Sequence, residues 1–223
     1  VASLSPLPLA AGVQLLVELP DALHPVPLSP DPATDAVVAE QLVRQIHPGL
    51  FDSRGVVLPE AEPIYANAVE RYTVTTALRR DSGAIVTALC AVLLDDDYTA
   101  SVLTINAVDL AFEEPEVAIG AIREVLLAEG PPDAEIMHLA LPAGPAVGRV
   151  RHRTLRAGVD PVGDAQRLEV GVADIHVAIP GANVLLVLDL FCPTVATFEQ
   201  HAAMLGGVAR SVAVTVSRAE GAA

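Results

Sequence analysis

The spacing of apolar and polar positions changes period several times along the chain. In "TDAVVAEQLVRQI", Val38, Leu42 and Ile46 fall on one face, Thr34 or Asp35 stands where an N-cap belongs, and Glu40 precedes Arg44 by four residues. This predicts an amphipathic helix that "HPG" ends. From Val69 the period drops to two. "VERYTVTTALRR" and "AIVTALCAVLL" flank "DSG", and "DDDY" (95–98) leads into "TASVLTINAVDL", so three sequential antiparallel strands are expected. Helical spacing returns in "EEPEVAIGAIREVLLAEGPP", with acids at its start, Pro115 near the first turn, Ile119, Ile122 and Leu126 on one face, and Gly-Pro-Pro as its stop.

After a short strand, "EIMHLAL", the second half repeats this plan. "AVGRVRHRTLR", "QRLEVGVADIHVAI" and "NVLLVLDLF" read as strands, the last two joined at "PGA". A final helix starts near Thr197, where Thr197 and Gln200 fit a capping box, and its stripe is Phe198, Ala202, Leu205, Ala209 and Val212. Gly206 and Gly207 interrupt it, which marks either close packing on a sheet or an early end. The fold class expected is α/β (α+β): a largely antiparallel sheet covered by helices, with a possible duplicated strand-strand-strand-helix unit. By composition, residues 1–33 form a strand and a Pro-rich extended segment, 34–217 a single sandwich domain, and 218–223 a tail.

At 223 residues the chain can bury a core without disulfides or metals. Its hydrophobic fraction of 52% is high, yet no apolar run reaches the 18 or so residues of a membrane span. The opening "VASLSPLPLAAG" lacks the positive region of a secretory signal, and a start at Val1 leaves a trimmed precursor open. All 13 basic residues are Arg, a pattern expected of a GC-rich bacterial genome, and without Lys there can be no Schiff-base or P-loop lysine chemistry. A net charge of -15 argues against general nucleic-acid or anionic-membrane binding and points to a soluble, cytoplasmic protein. Cys90 and Cys192 lie in apolar runs and read as buried thiols, with a disulfide as the alternative.

Against that acidity, "VGRVRHRTLR" (147–156) holds four arginines. As a strand it would project Arg149, Arg151 and Arg153 from one face and Val150 and His152 from the other. Three guanidinium groups in a row need carboxylates, water or an anion to compensate them. The row, with Arg156, is therefore either paired internally or a docking surface for an acidic partner or phosphorylated ligand. Asp174 and His176 share a strand face two residues apart and are a candidate polar pair. No nucleophile elbow, zinc helix, paired-cysteine or phosphate-loop motif is present, "DDDY" lacks the spaced ligands of a calcium loop, and no metal or cofactor is expected.

Residues from about 145 to 212 resemble the PsbP-like fold family in the "AVGRVRHR" strand, the "ADIHVAIPGANVLLVLDLFCP" hairpin and the helix "TFEQHAAMLGGVARSV". That family spans a photosystem accessory protein, a Ran-binding import factor and bacterial lipoproteins, whose lipobox cysteine is not found here. The resemblance implies an antiparallel sheet between helices and a binding or accessory role, and it carries no functional residues over. The expected function is thus a non-enzymatic protein that docks a protein partner, a second copy of itself or a small anionic ligand. The alternatives are a hydrolase-like enzyme with a site built from scattered residues and a structural subunit of an assembly. A deep polar pocket would favour the enzyme, and a flat apolar patch the assembly.

Overall fold

Prolines and glycines set most of the element boundaries in the computed structural model, which describes residues 2–10, 13–94, 97–110, 112, 114–131, 134–159 and 165–216. Strands β1 (Ala2–Ser3), β2 (Leu7–Ala10), β3 (Val13–Leu16), β4 (Glu18–Leu19) and β5 (His24–Pro25) precede helices α1 (Asp35–Ile46) and α2 (Glu62–Ser82). Then come β6 (Val86–Leu94), β7 (Asp97–Asp109), α3 (Pro115–Glu129), β8 (Glu135–Leu141), β9 (Gly144–Val159), β10 (Ala165–Ile179), β11 (Val184–Cys192), α4 (Val195–Ser211) and β12 (Ala213–Val216). The class is α+β with a largely antiparallel sheet. Where composition reads one domain over 34–217, the chain forms two compact units, Ala22–Thr104 and Val1–Asp21 with Ile105–Ala223.

In the unit Ala22–Thr104, strand order is β5-β6-β7 and the two helices pack together. Here the structure corrects the sequence reading. Residues 69–80, expected as a strand, are the second half of α2. Pro63 opens that helix, and Gly83 closes it at φ +68°, a left-handed conformation that favours glycine. Within it Thr73, Thr75 and Thr76 donate their hydroxyls to the carbonyls of Val69, Arg71 and Tyr72, which pairs these polar groups inside the helix. Ala68, Tyr72, Thr75 and Thr76 are buried, and the first two pack with Leu42, Val43 and Leu50. With this stretch helical, two of the three sequential strands expected before α3 remain, β6 and β7. Thr34 is the α1 N-cap but makes no capping bond to it, and Arg44 donates to the Gly55 carbonyl at 2.8 Å while stacking 4.6 Å from the Phe51 ring centre. Of "DDDY", residues 95 and 96 lie outside the described residues.

One histidine in this unit makes stability depend on pH. His47 is buried, its Nε2 is 2.7 Å from the Tyr72 hydroxyl, and burial, aided by repulsion from His24, lowers its pKa from 6.5 to about 4. Folded His47 therefore stays neutral where the unfolded chain takes up a proton. Stability is full above pH 6.5 and falls as pH drops toward 4. Partial solvent screening holds the expected loss to about 2 kcal/mol. Urea unfolding at pH 7.5 and 4.5 measures it, and His47→Gln should remove most of the difference.

In the other unit, strand order is β7-β11-β10-β9-β8, residues 105–109 of β7 belonging here. Registers are antiparallel throughout β8 to β11, with Arg149 opposite Asp174 and Asp174 opposite Asp189. Helix α3 covers one face, where Ile119 and Leu126 pack on Val147 and Ala178. Helix α4 covers the other, where Phe198 lies against Gly171 and edge-on to His152. The Thr197–Gln200 capping box does not form. Helix α4 begins at Val195, and the Thr197 hydroxyl donates to the Thr194 carbonyl. Gly206 and Gly207 lie inside it. Behind α4, β12 joins β3 and β2 in a small antiparallel sheet, and Ser211 exchanges hydrogen bonds with the Glu18 backbone. Among the described residues, no helix is long and apolar enough to cross a membrane.

Candidate functional site

Because side chains alternate along β9, Arg149, Arg151 and Arg153 share the face covered by α3, and Val150 and His152 share the face covered by α4. Burial grades along the row. Arg149 is buried, Arg151 half-buried and Arg153 exposed. Arg156 is also exposed but projects from the α4 face, directly opposite Arg167. The four arginines thus do not form one surface.

Arg149 is tied inward. Its Nε and Nη2 donate to Asp174 Oδ1 at 3.0 and 2.8 Å, and His176 Nε2 lies 3.1 Å from Asp174 Oδ2. Burial alone would raise the Asp174 carboxyl, but the bonds from His176 and Arg149 hold it below the usual carboxylate range. Across the register, burial and the charge on Asp174 push Asp189 up. Burial, with Arg149 beside it, lowers Arg151. Two nitrogens of this cluster, Arg151 Nε and His176 Nδ1, are buried without a hydrogen-bond partner among the described residues.

An Asp–His pair is the orienting half of a hydrolytic triad, which also needs a nucleophile on the second ring nitrogen. His176 Nδ1 has none, and Arg149 occupies the other carboxylate oxygen. The cluster is a structural ion network between sheet and helix. Among the described residues, no three His, Cys, Asp or Glu side chains group as a metal site.

A second pairing escaped the sequence reading. Cys192, at the end of β11, donates its thiol to the Thr194 carbonyl at 3.1 Å, and its Sγ lies 3.3 Å from Nδ1 of His201 on α4. Cys–His pairs can act as nucleophiles, but these side chains are 0% and 2% exposed, so no substrate reaches them. A nine-residue separation across a strand, a turn and the first turns of a helix is the only signal that could have revealed the pair.

The most enclosed of the concave features described in this unit lies on the α4 side. Beneath the helix, β8, β9 and β10 border a cavity of about 200 Å³ lined by Met137, Leu139, Leu141, Val150, Ile175 and Leu205. Small residues border it. At Gly148 the Leu139 and Met137 side chains close in on the backbone, where a Cβ would meet them at 3.2 and 3.5 Å, and Ala202, Gly206 and Ala209 line the helix side. Arg210 belongs to the lining, and its guanidinium folds back to within 3.9 Å of where a Gly206 Cβ would be. It is exposed and makes no hydrogen bond or ion pair to the described residues.

Neither glycine signals this site by itself; Gly206 does so only once it is placed on the wall. The strand alternation that points Gly148 and Val150 to the cavity also points Arg149 away from it. Compared with known proteins, the chain matches no family model, no curated protein and no solved structure.

Proposed function

We propose that this protein is a non-enzymatic binding protein whose cavity beneath α4 takes up a small, largely apolar molecule. The observation that carries this reading is the cavity itself, largely apolar on its wall, with Gly206 on its helix side at the cost of helix stability in α4. It offers mainly apolar contact, and the one carboxylate that borders it, Asp174, is bonded to Arg149 and His176 on the opposite sheet face, which favours binding over catalysis. The similarity of residues 145–212 to PsbP-like sequences points the same way, toward binding or accessory work. Composition suggests the cytoplasm of a GC-rich bacterium as its setting.

A dry apolar cavity of about 150 Å³ holds a benzene-sized molecule, so about 200 Å³ admits one ring with a small substituent. Toluene should therefore bind saturably and raise the melting temperature by a few degrees. Ala202→Leu, which places a good helix former into the cavity from a half-buried position, should fold normally and lose that response. No saturable binding to the parent protein, or equal binding to the variant, rejects the reading.

A further inference from the structure

We infer that the natural ligand of the cavity is a small monocarboxylate, bound with its apolar body against Leu139, Ile175 and Leu205 and its carboxylate on the Arg210 guanidinium. This rests on the cavity being a binding site and adds the class of ligand. Three observations lead to it.

Arg210, which is exposed, borders the cavity together with apolar side chains and with Arg149 and Asp174, and strand alternation turns the side chains of those two to the opposite sheet face. Its side chain turns back one helical turn, so Nη1 and Nη2 both stand over Gly206, within 3.8 and 3.9 Å of a Cβ built there. Any side chain at 206 would stand between the guanidinium and the cavity. Glycine leaves that path clear.

The other cations of this unit are committed or remote. Arg149, Arg151 and Arg153 lie on the opposite sheet face, Arg149 bonded there to Asp174; Arg156 and Arg167 lie farther along the hairpin arms, and Arg123 pairs with Glu124 on α3. Arg210 keeps all its N–H donors unused by the described residues. Its position in the last turn of α4 suits the helix dipole, which engages its charge but none of those donors. A planar fork of donors beside an apolar cavity matches a carboxylate two bonds at a time.

Size sets the rest. A volume of about 200 Å³ admits one ring or a short branched chain but excludes a long acyl chain. A second charged group would have to sit on the apolar wall without a partner. The ligand is therefore a monoanion.

Calorimetric titration of the full chain with benzoate, benzamide and toluene tests the inference. Benzoate should bind at least tenfold more tightly than benzamide, which keeps the shape and polarity but not the charge. Arg210→Gln should remove that preference while leaving toluene binding unchanged, Arg210→Lys should restore part of it, and added salt should weaken benzoate alone. If toluene binds but benzoate has no advantage, or the advantage survives in Arg210→Gln, the carboxylate assignment is wrong and the cavity reading stands. If none of the three probes binds, both are wrong. Because Arg210 is exposed and bonded to no described residue, its variants are expected to fold, and the unchanged toluene response verifies that they have.

Discussion

Arg149→Leu is expected to destabilise the protein by about 3–5 kcal/mol, the range seen when one partner of a buried ion pair is removed. The loss comes from what remains behind. Asp174 is 3% exposed, and without the two guanidinium bonds its charge is left with His176 alone, facing Asp189 across the register. The effect has a pH signature. Asp174 titrates below its unfolded value of 3.8 because of its partners, so the pair stabilises the fold above that value and ceases to do so as pH falls through the lowered one. Urea unfolding of parent and variant should differ most near pH 7 and begin to converge only once pH falls below 3.8. Arg153→Gln, four residues along on the same face but exposed, should change stability by less than about 0.5 kcal/mol. Equal effects at 149 and 153 would show that the row acts as a surface rather than as a graded descent into the core.

Gly171→Ala is expected to cost about 3 kcal/mol, although it adds a single methyl. A Cβ at 171 would overlap the ring of Phe198, which is 1% exposed and held edge-on to His152 with centroids 5.2 Å apart. Cores do not absorb such an overlap without displacing a side chain from its rotamer or a helix from its sheet. Phe198→Leu alone should be destabilising, as a large-to-small change in a packed site. Combined with Gly171→Ala it should cost less than the sum of the two, because the smaller side chain makes room for the methyl. Guanidinium unfolding of the four species gives the coupling directly, and strict additivity would mean that Gly171 is not what fixes the distance between α4 and the sheet.

Much of this arrangement was legible in the order of residues. The alternation in "VGRVRHRTLR" places Arg149, Arg151 and Arg153 on one face, as the register shows, and the helical spacing of Ile119, Ile122 and Leu126 marks the stripe that α3 turns to the sheet. Burial was not legible. Alternation says which face a side chain takes, whereas the depth of Arg149 follows from α3, whose own residues lie 20 to 34 positions earlier.

The misread segment, 69–80, has a different cause. Val, Thr and Tyr carry strand propensity, and here tertiary packing against α1 overrides it. Ala68, Tyr72, Thr75 and Thr76 do keep helical spacing, but with threonines at two of the four positions the pattern reads as polar. The cavity was invisible for a related reason. Its wall is assembled from three strands and a helix spread over residues 137 to 210, and an absent side chain at Gly148 or Gly206 leaves no mark in a hydrophobicity pattern.

The placement of the cysteines gives each unit its own reporter. Cys90 lies in Ala22–Thr104 and Cys192 in the other unit; they are 4% and 0% exposed, and neither forms a disulfide. A thiol-modifying reagent reaches each sulfur only when the structure around it opens, so the rate of alkylation at that position measures the opening free energy of that unit alone. Peptide mapping after timed alkylation would separate the two rates in one sample, and with them distinguish a chain that unfolds in one step from one whose halves come apart in turn.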